Sequence, residues 1–266
     1  MNRFDFKRVD SVQAAVTLLC EIEDSSVLAG GQTLIPTMKQ GLSAPAALID
    51  LGGISELREI RIEEDAIVVG AMCTHADVAN SSSIRQHIPG LAHLAGQIGD
   101  AQVRNRGTIG GSIANNDPAA DYPAACLGLD ATILTDKRAI AADSFFLGLF
   151  ETALDEGELI TGVRFRHCRR STYLKFRNPA SRFAIVGVFV GRGKEGWRVA
   201  ITGAGRDGVF RWRAAEEALN GDCRPQALEP LRLSIEEMLD DIHAKGDYRA
   251  HLIKVLACDA VEKLLR

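Results

Sequence analysis

At 266 residues the chain is long enough to bury a large core, and more than one domain is expected. Its 46% hydrophobic and 25% charged content is that of an ordinary globular protein, and a formal charge of -4 gives no reason to expect nucleic acid or an anionic membrane as partner. No stretch approaches the ~20 apolar residues of a membrane span, and the polar start Met1–Asp10 lacks a secretory apolar core, so a cytoplasmic location is the expectation.

In chain order, Ser11 predicts the cap of a helix that carries Val12, Ala15, Val16 and Leu19 on one face. The apolar run Val27-Leu28-Ala29 leads into Gly30-Gly31, Ala47 to Leu51 reads as a second strand, and Ile67 to Ala71 as a third. Thr74 with Asp77 predicts a helix start, and Ile88 to Ile98 another helical stretch. Strands are then expected at Ala131–Thr135, Ala139–Ala141 and Leu159–Phe165. The basic run Arg164–Arg170 suggests a boundary. Beyond it, β-rich runs at Tyr173–Arg177, Phe183–Val190 and Trp197–Ile201 predict a small antiparallel sheet. Helical segments near Arg211–Asn220, Ser234–Asp241 and Tyr248–Leu265 are expected to back it.

Two glycine motifs carry the chemistry. The first is Ala29-Gly30-Gly31-Gln32-Thr33-Leu34, where paired glycines permit positive φ and let consecutive N–H groups converge on an anion. Pro36 follows too soon for the long helix of a Rossmann turn, and the Walker Gly-Lys-Ser/Thr is absent. Taken alone, this motif also fits an ordinary strand-end turn. The second motif runs from Arg104 to Pro123, RNRGTIGGSIANNDPAADYP. It repeats the pattern in Thr108-Ile109-Gly110-Gly111-Ser112 and adds Asn115, Asn116, Asp117 and Asp121. Two such nests suit a pyrophosphate, and a nearby carboxylate could accept from sugar or ribityl hydroxyls. On this reading a side chain at Gly110 would crowd the phosphate.

Together these motifs resemble the FAD-binding medium subunit of the molybdenum hydroxylases, the family of carbon monoxide dehydrogenase and xanthine dehydrogenase. The resemblance continues in Glu158-Leu159-Ile160-Thr161 and in the run Lys175 to Val186, so it spans almost the whole chain. It implies an α+β fold: an N-terminal FAD-binding domain of two subdomains (PCMH-type) over 1–168, then a three-stranded antiparallel sheet with helices over 169–266. It implies non-covalent FAD. Ala29 to Leu34 would wrap the pyrophosphate and the adenosine side, and Thr108, Gly110, Gly111 and Ser112 would hold the other phosphate face. Asp121 matches the family's carboxylate near the ribityl chain. Asp117 ranks below it, since it can cap the turn through Pro118. Ile98 and either Leu159 or Ile160 correspond to apolar residues beside the flavin. Arg177 lies where relatives carry a basic residue near the isoalloxazine, and Phe183 where some have a tyrosine. Ser112 stands where many relatives have Asn.

The resemblance also implies partners: a small subunit with [2Fe–2S] clusters and a large subunit with the molybdenum cofactor, in a dimer of heterotrimers. No catalytic residue is expected in this chain, because the flavin carries the chemistry. Nor is any metal expected, since Cys20, Cys73, Cys126, Cys168, Cys223 and Cys258 are scattered without a CxxC pair, and the six histidines are dispersed. The rival readings are a stand-alone FAD-dependent reductase with its own substrate pocket and a non-catalytic nucleotide-binding module. A nicotinamide dehydrogenase lacks its fingerprint loop.

Overall fold

The structure is a computed structural model that describes residues 2–266. The chain opens with β1 (Asp5–Arg8), α1 (Val12–Glu21), β2 (Ser25–Leu28), α2 (Leu34–Lys39) and β3 (Ala47–Asp50). The strands form a parallel sheet in the order β1-β3-β2. The Ser11 hydroxyl accepts the Ala14 N–H and fixes the start of α1, which places Ala15 in a core with Val9, Ile49, Leu51 and Ile54.

The next stretch holds β4 (Ile60–Ile62), β5 (Ala66–Gly70), α3 (His75–Asn80), α4 (Ser82–His87), α5 (Pro89–Gly96), α6 (Ala101–Arg104), α7 (Ile109–Asn115) and α8 (Tyr122–Gly128). It continues with β6 (Thr132–Thr135), β7 (Ala139–Ala141), β8 (Phe146–Gly148), β9 (Glu151–Thr152) and β10 (Ile160–Arg166). Strand β10 enters between β5 and β6, so the antiparallel sheet reads β4-β5-β10-β6-β7. The capping box at the head of α3 is formed as the sequence predicts: Thr74 and Asp77 bond each other's backbone N–H.

The remaining elements are β11 (Arg170–Arg177), β12 (Ala184–Gly193), β13 (Gly196–Thr202), β14 (Phe210–Arg211), α9 (Arg213–Gly221) and α10 (Gly246–Leu265). They build an antiparallel sheet in chain order, with the two-residue β14 added to the three expected strands. The helix expected near Ser234–Asp241 is absent: only one 3-10 turn forms, Ile235–Glu237. Its backbone is used sideways instead. Arg206 N donates to Glu237 O, and Leu239 N to Ala204 O, which ties the segment to the chain beyond β13 rather than into a helix.

The two faces of this sheet serve different cores. Tyr173, Phe189 and Ala200 point into the large core that also holds α5, α8 and the five-stranded sheet. Val186, Val188, Val199 and Ile201, one residue out of phase, pack with α9 and α10. In the basic run Arg164–Arg170, two of the four arginines meet carboxylates: Arg164 pairs with Glu63 and Asp65, and Arg166 with Glu195. Among the described residues no helix is long and apolar enough to cross a membrane, and no cluster of ligating side chains could hold a metal ion.

Candidate cofactor site

The two glycine motifs meet. A Cβ on Gly30 would lie 2.2 Å from Arg106 O and 2.8 Å from Gly107 Cα, so the first loop reaches the backbone of the second only because Gly30 has no side chain. Gly111 faces back, its absent Cβ 3.6 Å from that of Ala29. Gly31 takes φ +70, a left-handed turn that sends the chain into the short α2.

The motifs differ in what their backbones have free. The N–H groups of Gly30, Gly31, Gln32, Thr33 and Leu34 find no acceptor among the described residues. In the second motif the sequence reading needs correcting. Ile109 to Asn115 is helix α7, not a loop, and its leading N–H groups are engaged. Ile109 N donates to Cys73 O, Gly110 N to Ala71 O, Gly111 N to the Thr108 hydroxyl and Ser112 N to Thr108 O. Thr108 is thus a helix cap. Gly110 is required for packing: its Cβ would stand 2.6 Å from Ala71 Cβ, so a side chain there strikes the end of β5 rather than a phosphate.

The polar residues after α7 also have structural partners. Asn116, in the left-handed region at φ 42, sends its amide to Gly148 O and Glu151 O and ties down the β8–β9 hairpin. Asp117 accepts from Ala119 N at 2.8 Å and shapes the turn through Pro118, as expected of a capping Asp.

Asp121 is only 4% exposed and accepts from the Tyr173 hydroxyl at 2.5 Å and from Lys175 Nζ at 2.9 Å. Burial pushes its carboxyl above the usual range, while Lys175 and Tyr173 pull the other way. Lys175 also reaches Gln97 O, one residue before Ile98. Thr202, fully buried at the end of β13, places its hydroxyl 2.6 Å from Ala120 O and 3.1 Å from Pro118 O, and Gly203 N donates to Pro118 O. The C-terminal sheet therefore braces the turn that carries Asp121.

Beneath the second motif lies His75, with Gly107 against its ring and Tyr122 at 5.3 Å. Burial holds its imidazolium down, to about 4, so the ring is neutral near pH 7. Of the apolar candidates, Leu159 and Ile160 are buried at the start of β10 and Ile98 is half-buried after α5. Arg177 and Phe183 lie on the exposed β11–β12 hairpin, where a bulge after Phe176 breaks the alternation. Neither is brought against the glycine motifs by any bond in the structure.

A family profile described as the FAD binding domain in molybdopterin dehydrogenase matches residues 2–165. The chain belongs to that family. This FAD-binding chain is 34% identical to the carbon monoxide dehydrogenase medium chain of Hydrogenophaga pseudoflava, over 93% of its own length and 92% of the relative's. It is 31% identical to the nicotine 6-hydroxylase medium subunit of Paenarthrobacter nicotinovorans, with 92% of each covered. Its fold superposes with a TM-score of 0.89 on a chain of the H. pseudoflava carbon monoxide dehydrogenase that lacks the Mo-pyranopterin moiety of its cofactor. The two are 33% identical, with 98% of this chain and 96% of that chain covered. The resemblance read from the motifs is therefore a family membership, and the chain is an oxidoreductase subunit of the molybdenum hydroxylase type with the expected α+β architecture.

The FAD-binding chain has groups that fit such a cofactor. Unpaired N–H groups from Gly30 to Leu34 can take a pyrophosphate, and the hydroxyls of Thr33 and Ser112 have no partner among the described residues. Lys175, Tyr173, Thr202 and Gln97 escaped the site reading of the sequence. For Lys175 a signal existed: a lysine two residues from Tyr173 in an apolar strand shares its inward face.

Proposed function

We propose that this chain is the electron-transfer subunit of a three-subunit molybdenum hydroxylase, taking electrons from the [2Fe–2S] clusters of a small partner and passing them to an external acceptor. The observation that carries this reading is the run of unpaired N–H groups from Gly30 to Leu34, pressed against Arg106 and Gly107 of the second motif. FAD held there would supply the exchange between one-electron and two-electron steps. The first loop, Ala29 to Leu34, takes the pyrophosphate with its backbone and with the Thr33 hydroxyl. Thr108, Gly110 and Gly111 give α7 its close packing, which lets Ser112 present a hydroxyl to the same ligand. Ile98 and either Leu159 or Ile160 would form the apolar wall that keeps water from the ring, and Arg177 and Phe183 would stand at its open edge. Asp121 works through position: held by Lys175 and Tyr173, it fixes the turn after α7, and Asp117 shapes that turn. We assign 1–168 to the FAD-binding domain and 169–266 to a C-terminal flavoprotein domain that completes the site.

In this reading the substrate pocket belongs to another subunit, which is supported by relatives named for carbon monoxide, nicotine and caffeine that each match 92% or more of this chain. The assembly proposed is a dimer of heterotrimers with a molybdenum-cofactor large subunit, in the cytoplasm. Rapid mixing of the assembled enzyme with its reductant tests the reading. Flavin bleaching should follow cluster bleaching and reverse on adding acceptor. Clusters that stay reduced while the flavin remains oxidised would overturn it.

A further inference from the structure

A groove of about 640 Å³ opens between α3, α4, α5 and α6, within the size range of about 300–1,000 Å³ typical of ligand sites. Ala79, Gly96 and Ala101 give it a floor with almost no side chain, while Arg85, Arg104 and His93 stand in its walls and no Asp or Glu lines it. In a chain of net charge -4 this is a local inversion of sign. Neither Arg85 nor Arg104 meets a carboxylate among the described residues. Arg85 bonds Ala79 O and Asn80 Oδ1, and Arg104 bonds Ile98 O and Gly99 O. A guanidinium has five N–H donors, so both keep donors in the fork geometry that suits a carboxylate.

We propose that this groove seats a carboxylate-bearing segment of a partner subunit, with Arg85 and Arg104 as its anchors. The proposal rests on the multi-subunit reading above. A floor of alanine and glycine lets a partner backbone come close, and the unmatched arginines select an acidic sequence over a basic one. The seat has a direct connection to the cofactor site. Gln97 lines the groove and its carbonyl faces Lys175 Nζ, while Arg104 holds Ile98 O, so a seated segment presses on the elements behind the proposed flavin wall.

The test uses the assembled complex. Arg85→Glu and, separately, Ala101→Trp, which fills the exposed floor, should each weaken assembly about tenfold or more, because reversing an interfacial charge both slows encounter and places like charges together. The Arg85→Glu loss should shrink at high salt. FAD content should stay at the wild-type level in both. An Arg85→Lys variant, treated with a carbodiimide that joins amines to carboxylates, should cross-link position 85 to an Asp or Glu of a partner subunit. Normal assembly of both disrupting variants, or a cross-link only to a second copy of this chain, would overturn the groove proposal while leaving the electron-transfer reading intact. A wild-type chain that joins no partner would remove both.

Discussion

Lys175 of β11 and Asp121 of the second glycine motif face each other at 2.9 Å, with side chains only 1% and 4% exposed. The pair joins the C-terminal sheet to the cofactor motif, and Tyr173 adds a second bond to the same carboxylate. Removing one partner strands a buried charge, which costs about 3–5 kcal/mol. Lys175→Met is therefore expected to lower the unfolding free energy from urea titration by that order, with a lower midpoint, and to reduce FAD retention together with it. A variant with the wild-type midpoint would show that the pair does not brace the turn.

Thr202→Val keeps the shape of the side chain and removes its hydroxyl from Ala120 O and Pro118 O. An unsatisfied buried carbonyl costs about 1–3 kcal/mol, so a modest loss of stability is expected. A larger fractional loss of FAD affinity should accompany it, because the freed turn leads to Asp121. Isothermal titration beside urea unfolding separates the two effects, and equal proportional changes would argue against a positioning role.

Gly30→Ala puts a Cβ 2.2 Å from Arg106 O, a backbone atom that cannot swing aside, so the two motifs must part. FAD content of the purified chain should fall at least about tenfold if the converging backbone is the site, since flavin retention depends on that approach. Gly193→Ala is the control. It has nothing within 4 Å of its Cβ and should purify with full flavin. Gly110→Val is a different case: its collision with Ala71 predicts loss of folded protein, seen as poor yield and a lost thermal transition.

His75 gives the fold a pH dependence. Its folded value, about 4, lies below the ~6.5 of an unfolded histidine, so the unfolded chain binds the extra proton. This contribution is complete above about pH 6.5 and is lost as pH falls toward 4, on the order of 3 kcal/mol over that window. Its Nδ1 has no partner that would hold the charged form. His75→Gln should flatten the fall in stability between pH 6.5 and 4. An unchanged slope would show that another group carries it.

Much of the architecture was legible because local signals are strong where apolar periodicity and caps agree. Thr74 with Asp77 announced α3, Ser11 announced α1, and the continuous apolar run Phe183–Val190 announced a strand. The helix expected at Ser234–Asp241 failed because its backbone pairs with Ala204 and Arg206, a contact set by tertiary packing. At the site, the sequence placed the two glycine motifs together but could not show which N–H groups were already used. Gly110 N and Ile109 N are engaged by Ala71 and Cys73, residues that only folding brings near. The same holds for His87 and His167, dispersed in sequence yet stacked at 4.4 Å. Asp121 was found as a carboxylate of interest, and its Lys175 partner was missed because 54 residues of chain separate the two.

The most direct test of the central claim is to purify this chain, record its absorption spectrum, release any chromophore by denaturation, and titrate the stripped protein with FAD. The account predicts a flavin spectrum, released FAD, and saturable rebinding of one FAD per chain that Gly30→Ala abolishes. A colourless chain that takes up no added FAD, alone or with its partner subunits, would contradict it.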